Sequence, residues 1–387
     1  MAARFYGLDQ MAEVYVSPAR FFGTDYAASW TAELARLGYP DVQSFPYIYP
    51  PLWAALLSPL ATRFDPMTFF TGVYVIHIAM LAVMPVLAYR LMRPAMSFAP
   101  FALLSVALLA TSVIPAHALF HNQPQITVSF LILAGFERLS ARRPVMAGVL
   151  LGLAAALKLS PLVLILIFLA ERQYRAAAAC LITAGALALA SLAVAGPDLH
   201  RVFLDKIALL GDQLVIWDLN ISLRAALLQL SEAIAGRPWP AGTTAIPLLL
   251  KMPAWAGPVA GLIFAAGAAW AYAATRHSAL PARLGHRLAA LMLILTLTAP
   301  LGWAHHYLVP LALLPGLYGA LKPVPALLII GAAGILFSSA ATPYLGTAFG
   351  PLNLATPISV AAMLGLYLVF LLSARNTAPN TARNSPR

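Results

Sequence analysis

The sequence predicts an all-α polytopic membrane protein, a bundle of about nine to eleven membrane helices, some of them short or broken. Three observations carry that prediction. Hydrophobic residues make up 61% of the 387 and charged residues only 10%, where soluble domains average about 25% charged. Mean hydropathy is +0.83, and apolar windows near the ~20 residues that a bilayer demands recur along the chain. Basic residues also gather in the short connections between those windows.

Residues 1–66 read as an extracytoplasmic N-terminal loop with interfacial helices. Six acids, Asp9, Glu13, Asp25, Glu33, Asp41 and Asp65, precede the first long apolar run. LWAALLSPLA after Tyr49-Pro50-Pro51 is too short to span and suits the interface. Asp65-Pro66 supplies an N-cap with proline at the first helical position. A multi-span domain then covers 67–374, with spans expected near 67–91, 97–116, 123–137, 176–195, 255–274, 285–302, 305–321, 323–341 and 356–374. Between the third and fourth of these, Pro144–Leu157 and Pro161–Ala170 are two short segments meeting at Lys158-Leu159-Ser160. Fourteen residues at ~1.5 Å each reach about 21 Å, short of a 30 Å hydrocarbon core, as in helix pairs that line a cavity. The section 197–253 reads as extracytoplasmic amphipathic helices, from the apolar spacing in FLDKIALLGDQLVIW. Residues 375–387 read as a disordered cytoplasmic tail. No internal repeat is evident.

Charge sets the orientation. With the opening loop outside, alternation puts Arg90, Arg93, Arg138, Arg142, Arg143, Arg172, Arg175, Arg276, Arg283, Arg287, Lys322, Arg375, Arg383 and Arg387 inside, balanced only by Glu137 and Glu171. The other side holds ten basic and eleven acidic residues. The positive-inside rule accepts this orientation and rejects its inverse.

The net charge of +11 therefore belongs to membrane topology, and no basic, aromatic-interleaved polar surface points to nucleic acid. Cys180 is the only cysteine and lies among alanines, so no disulfide or CxxC pair is available. The first twenty residues lack the apolar core of a signal peptide. Walker A, GxGxxG and GxSxG motifs are absent.

The same alternation brings the unusual polar clusters to the outer side. They are Asp9 and Glu13, His117 with His121-Asn122-Gln123-Pro124-Gln125, Lys158, Asn220 and Ser222, and Trp303-Ala304-His305-His306-Tyr307. Ionisable groups at membrane depth are costly and usually functional. Each piece also has a plainer reading. His305 and His306 fit an aromatic belt, and adjacent histidines on a helix diverge by about 100°, a poor chelate. Lys158 is able to snorkel to headgroups or, beside a helix break, to bind a phosphate. Asn220-Ile221-Ser222 matches a glycosylation sequon. Asp25, Glu33 and Asp41 read as solvated loop charges, and Tyr49-Pro50-Pro51 as a rigid turn. A transporter or flippase of a lipid-linked or small polar substrate is the rival class, and lacks an inverted repeat to support it.

Together these pieces resemble the GT-C glycosyltransferases of the family called GT87 or DUF2029, which includes polyprenol-phosphate-mannose-dependent mannosyltransferases. The resemblance rests on Asp9 ahead of Val14-Tyr15 and Ala19, on Tyr49-Pro50-Pro51 leading to Leu56–Leu60, on Asn122-Gln123-Pro124-Gln125 followed by a pattern ending at Lys158 and Pro161, and on Trp303, His305 and His306. It covers about residues 5–310. The family has glycine where Asn122 stands, and its Asp sits four residues before the tyrosine, where Asp9 is six before Tyr15. It also places a span ahead of the opening loop, and this sequence opens inside the loop, so residues upstream of Met1 are expected.

The resemblance implies a GT-C-like bundle and inverting transfer of a hexose, mannose first, from a polyprenyl-phosphate donor to an extracytoplasmic lipid or glycan acceptor. Asp9 is the expected base, with Glu13 and Asp25 as alternatives. His305 or His306 would position the acceptor or neutralise the leaving phosphate. Lys158 would hold the donor phosphate, and Glu13, Tyr49, Asn122, Gln123, Gln125, Asn220, Ser222 and Trp303 would contact substrate. No cofactor or metal is expected. The expected place is the bacterial cytoplasmic membrane, with the site facing the periplasm or cell exterior.

Overall fold

The computed structural model describes residues 1–15, 28–42, 47–217, 219–236, 248–348 and 353–377. Among them the chain is a helical bundle with one small hairpin. Helices α1 (Ala2–Gly7) and α2 (Ala28–Arg36) precede α3 (Pro51–Arg63) and α4 (Pro66–Met92). Pro51 and Pro66 both open helices, where a missing N–H costs nothing. The Asp65 carboxylate caps α4 by accepting from the Met67 and Thr68 amides at 3.0 and 3.1 Å. The chain continues through α5 (Phe98–Thr111), α6 (Val113–Phe120), α7 (Gln125–Ser140), α8 (Pro144–Leu157), a 3₁₀ turn Ser160–Leu164, α9 (Ile165–Ala170) and α10 (Tyr174–Gly211). After β1 (Gln213–Ile216), α11 (Leu223–Ile234) and β2 (Leu248–Lys251) come α12 (Ala256–Thr275), α13 (Leu280–Thr298), a 3₁₀ turn Ala304–Tyr307 and α14 (Leu308–Leu313). A 3₁₀ turn Leu314–Leu317, α15 (Pro323–Leu336), α16 (Thr342–Thr347) and α17 (Ala355–Ala374) complete it.

Five of the described helices are long and apolar enough to cross a membrane, and four more apolar segments are shorter. The protein is a multi-pass membrane protein. Its axis is α13, buried without a break from Leu284 to Ile294, with His286 and Arg287 as the polar residues of that stretch. α17, α12 and α4 pack around it, while α8 and α10 approach each other closely because Gly148 and Gly152 form a small-xxx-small face. A Cβ at Gly148 would overlap the Ala176 carbonyl.

Several expected spans are interrupted, and at two of the breaks the freed backbone groups find partners. The 97–116 span breaks at Ser112, where Val113 donates to the Phe337 carbonyl and Ser339 to that of Thr111, both at 2.8 Å. Unpaired backbone is tolerated at such depth only with partners of this kind. The 176–195 span runs straight into the polar section through a kink at Gly196, whose φ of +71° suits glycine alone, followed by Pro197. His200 staples the kink, bridging the Ser191 hydroxyl at 2.8 Å and the Gly196 carbonyl at 2.7 Å.

Section 197–253 corrects one expectation. It contains helix at both α10 and α11, but residues 213–216 pair antiparallel with 248–251, Leu214 opposite Leu250. The helical spacing of FLDKIALL ends at Asp212, and Gln-Leu-Val-Ile beyond it is a strand. The opening loop packs as a satellite core of Phe5, Val14, Tyr15 and Trp30 against Ala54 of α3 and Leu199 and Phe203 of α10.

Candidate functional site

A cavity of about 390 Å³ lies between the α6–α7 turn, the end of α8, the second half of α10 and the end of α13. Four stretches remote in sequence supply its polar wall: Tyr49 ahead of α3, His117 to Gln125 at the α6–α7 turn, Lys158 at the α8 break, and Trp303 to His306. Phe203, Ile207 and Leu210, spaced i, i+4 and i+7 on α10, form an apolar wall with Trp217. Lys158 is extended (φ −154°, ψ 128°), so α8 stops there, and Pro161 keeps the helix from resuming in register.

The polar groups bond to one another. Lys158 Nζ donates to Gln125 Oε1 at 2.9 Å and lies 2.5 Å from His306 Nε2. His117 Nδ1 lies 3.0 Å from His305 Nδ1, so one of the two must be the donor and the other the acceptor. His117 Nε2 is buried without a partner. The Tyr49 hydroxyl donates to Gln123 Oε1 at 2.6 Å. Burial pushes the Lys158 ammonium down to about 7 and the His117 imidazole to about 3. No Asp or Glu is among the described residues that line the cavity. A desolvated ammonium held only by neutral acceptors favours an anionic ligand. Among the described residues no group of three or more His, Cys, Asp or Glu is placed to hold a metal ion. The His305 and His306 rings stand at 87° to each other.

Of the residues singled out by sequence, Tyr49, Gln123, Gln125, Lys158, Trp303, His305 and His306 come together here. Others do not. Asn122 turns away, its Oδ1 2.8 Å from His77 Nδ1 and its Nδ2 donating to the Phe70 carbonyl at 2.9 Å. Its φ of +48° explains why asparagine can replace glycine at this turn. Asn220 is fully buried, donating to the Val215 carbonyl at 2.5 Å and accepting from the Gly302 amide at 2.8 Å. Ser222 caps α11. Both support the Trp303 loop from behind, joined by the Tyr307 hydroxyl, which donates to the Ile221 carbonyl.

Asp9 and Glu13 line a separate, open cleft with Glu33 and Arg36. Glu13 accepts from the Ser29 hydroxyl, and Glu33 pairs with Arg4 and Arg36 at 2.8 and 2.6 Å. Asp25, Ala19 and Asp218 lie outside the described residues. The loop meets the cavity wall through Tyr15, whose hydroxyl donates to the Tyr49 carbonyl at 2.6 Å and whose ring lies 6.0 Å from that of Phe203. Sequence reasoning grouped His117 and His121 with the outer cluster but gave them no role, and it missed the α10 wall. The signal for that wall was the apolar spacing of 203, 207 and 210.

Residues 47–300 match Glycosyltransferase family 87. The match takes in Tyr49, the α6–α7 turn and Lys158, and ends just before Trp303. The polyprenol-phosphate-mannose-dependent alpha-(1-2)-phosphatidylinositol mannoside mannosyltransferase of Mycobacterium tuberculosis is 27% identical over 312 residues, covering 76% of this chain and 67% of that protein. No solved structure matches the chain significantly.

Proposed function

The chain belongs to glycosyltransferase family 87 and is a membrane glycosyltransferase; from that premise we propose that it moves a hexose, mannose first, from a polyprenyl-phosphate donor to a lipid or glycan acceptor. The site faces the periplasm or exterior of a bacterial cytoplasmic membrane, the orientation that the arginine distribution favours. The observation that carries this reading is Lys158, half-buried beside His306 with only neutral partners in a cavity whose described lining has no carboxylate.

The acceptor hydroxyl attacks the anomeric carbon as the bond to the phosphate oxygen breaks, inverting that carbon. The departing polyprenyl phosphate gains a negative charge, which the Lys158 ammonium stabilises where it develops. The apolar wall of Phe203, Ile207 and Leu210 suits the polyprenyl chain, and Gln123, Gln125 and Trp303 suit sugar hydroxyls and the sugar face. The hydroxyl's proton needs a carboxylate base. That base is assigned to the opening loop, Asp9 first with Glu13 and Asp25 as alternatives, because the described cavity lining has no carboxylate of its own and the loop, whose Asp9 and Glu13 line the neighbouring cleft, is tied to the cavity through Tyr15.

Purified protein incubated with radiolabelled polyprenyl-phosphate mannose and a membrane extract tests the reading. Label should pass to a lipid or glycan product, and failure with every lipid-linked sugar tried would sink it. Asp9→Asn should lose transfer; full activity in that variant overturns the base assignment and leaves the donor site standing.

A further inference from the structure

A second cavity, of about 410 Å³, lies at the far end of the same helices. Gln125 begins α7 in the first cavity and Ser140 ends it in the second, about 22 Å along the axis at ~1.5 Å per residue. Arg90 and Arg93 border it from the end of α4, and Glu137 and Ser140 from the end of α7.

The charges at this end do not balance. Glu137 is taken by its neighbour, accepting from Arg138 Nε and Nη2 at 2.5 and 2.7 Å. Glu171 is held by Arg283 and Arg287 at 2.6 and 2.5 Å. Arg90 and Arg93 have no acidic partner among the described residues. Both are exposed at the cavity rim. The Ser140 hydroxyl is buried, in a residue only 9% exposed, and makes no hydrogen bond. A buried hydroxyl without a protein partner costs about 1–3 kcal/mol, a cost that a ligand oxygen within reach would offset.

Two guanidinium forks and a hydroxyl donor are chemistry for a phosphate group, since arginine pairs with phosphate oxygens bidentately. The surroundings distinguish a lipid from a free ion. Beyond the arginines the surface turns apolar, with Phe98 and Leu103 of α5 and Val145 and Met146 of α8 exposed, as acyl chains require. Basic pockets between membrane helices are general sites for anionic headgroups. We propose that this cleft binds the headgroup phosphate of an anionic phospholipid, Arg90 and Arg93 donating to its oxygens from the rim and Ser140 from the floor. The site is distinct from the Lys158 cavity and does not depend on what is transferred there.

Native mass spectrometry of the full chain in detergent, with phosphatidylglycerol, phosphatidylethanolamine or inorganic phosphate added, tests this. Phosphatidylglycerol should be retained in preference to phosphatidylethanolamine. Arg90→Gln with Arg93→Gln should weaken retention at least about tenfold, given the strength of charge-assisted pairs. Arg90→Lys with Arg93→Lys keeps the charges that orient the chain and loses the forks, so a several-fold weakening there shows the effect is not misfolding. Ser140→Ala should weaken retention less than either pair. Wild-type retention by both double variants overturns the site. Displacement of phosphatidylglycerol by millimolar inorganic phosphate overturns the lipid as its occupant.

Discussion

Two charge clusters occupy opposite ends of this bundle, and they are built on opposite plans. At one end the Glu171 carboxylate is bracketed by Arg283 and Arg287. Arg287 is further occupied, donating to Thr275 Oγ1 at 2.9 Å and lying 4.9 Å over the Tyr272 ring. At the other end Lys158 has a glutamine oxygen and a histidine nitrogen, both neutral. Charges that satisfy one another internally hold helices together. A half-buried cation left with neutral partners is poised for a charge brought from outside. Substitutions at the two ends should therefore separate stability from activity.

The largest effect belongs to the paired end. Glu171→Gln leaves two arginines, one of them deeply buried, without their counter-charge, and breaking such a pair costs about 3–5 kcal/mol. The melting temperature in detergent should fall steeply, while the protein that remains folded keeps its transfer rate per molecule. Equal loss of stability from Lys158→Gln would erase the contrast.

Lys158→Gln comes next. It removes the donor proposed for the leaving phosphate, and loss of such a donor typically costs about a hundred- to a thousandfold in kcat. Stability should hold or rise, since the variant no longer buries an ammonium. A melting curve beside a transfer assay reads both.

pH sharpens the same point. Only the protonated Lys158 binds a phosphate, and burial holds it at about 7. Below that value the ammonium is present; above it the amine is neutral. The kcat/KM for the donor should be flat on the acid side of this limb and fall about tenfold per unit above pH 7. Lys158→Arg, charged throughout, should abolish the limb even where it lowers the rate. A limb that survives in Lys158→Arg belongs to another group.

Hydropathy alone made most of the bundle legible, because α4, α12, α13 and α17 are runs that only a bilayer or a buried axis accommodates. The α8 break at Lys158 was legible too, as an amphipathic charge stopping a helix too short to span. The hairpin was not, since Leu214, Val215 and Ile216 simply continue an apolar run and a four-residue strand depends on a partner some 35 residues on. Asn220 and Ser222 illustrate a second limit. A polar residue near a membrane surface has the same type whether it faces a substrate or a neighbouring peptide group, and here both bond to backbone. For Asp9, residue type and spacing mark a carboxylate in the loop but cannot fix which cleft it lines.

The α6–α7 turn offers the finest comparison, because two neighbours in it serve the two plans. Gln125 accepts from Lys158 in the cavity, whereas Asn122 ties the turn to α4 through His77 and the Phe70 carbonyl. Asn122→Gly keeps the positive φ at no steric cost and loses two hydrogen bonds, each worth about 1 kcal/mol net. Asn122→Ala loses the same bonds and also forces a Cβ into the left-handed region, about 1–2 kcal/mol more. The alanine variant should therefore melt lower than the glycine variant, and neither should change the donor KM at a temperature where both are folded. Gln125→Leu, by contrast, should raise that KM with little change in melting. A KM effect from Asn122→Gly equal to that from Gln125→Leu would mean that the turn acts as one unit on the donor, and the division between its two neighbours would fail.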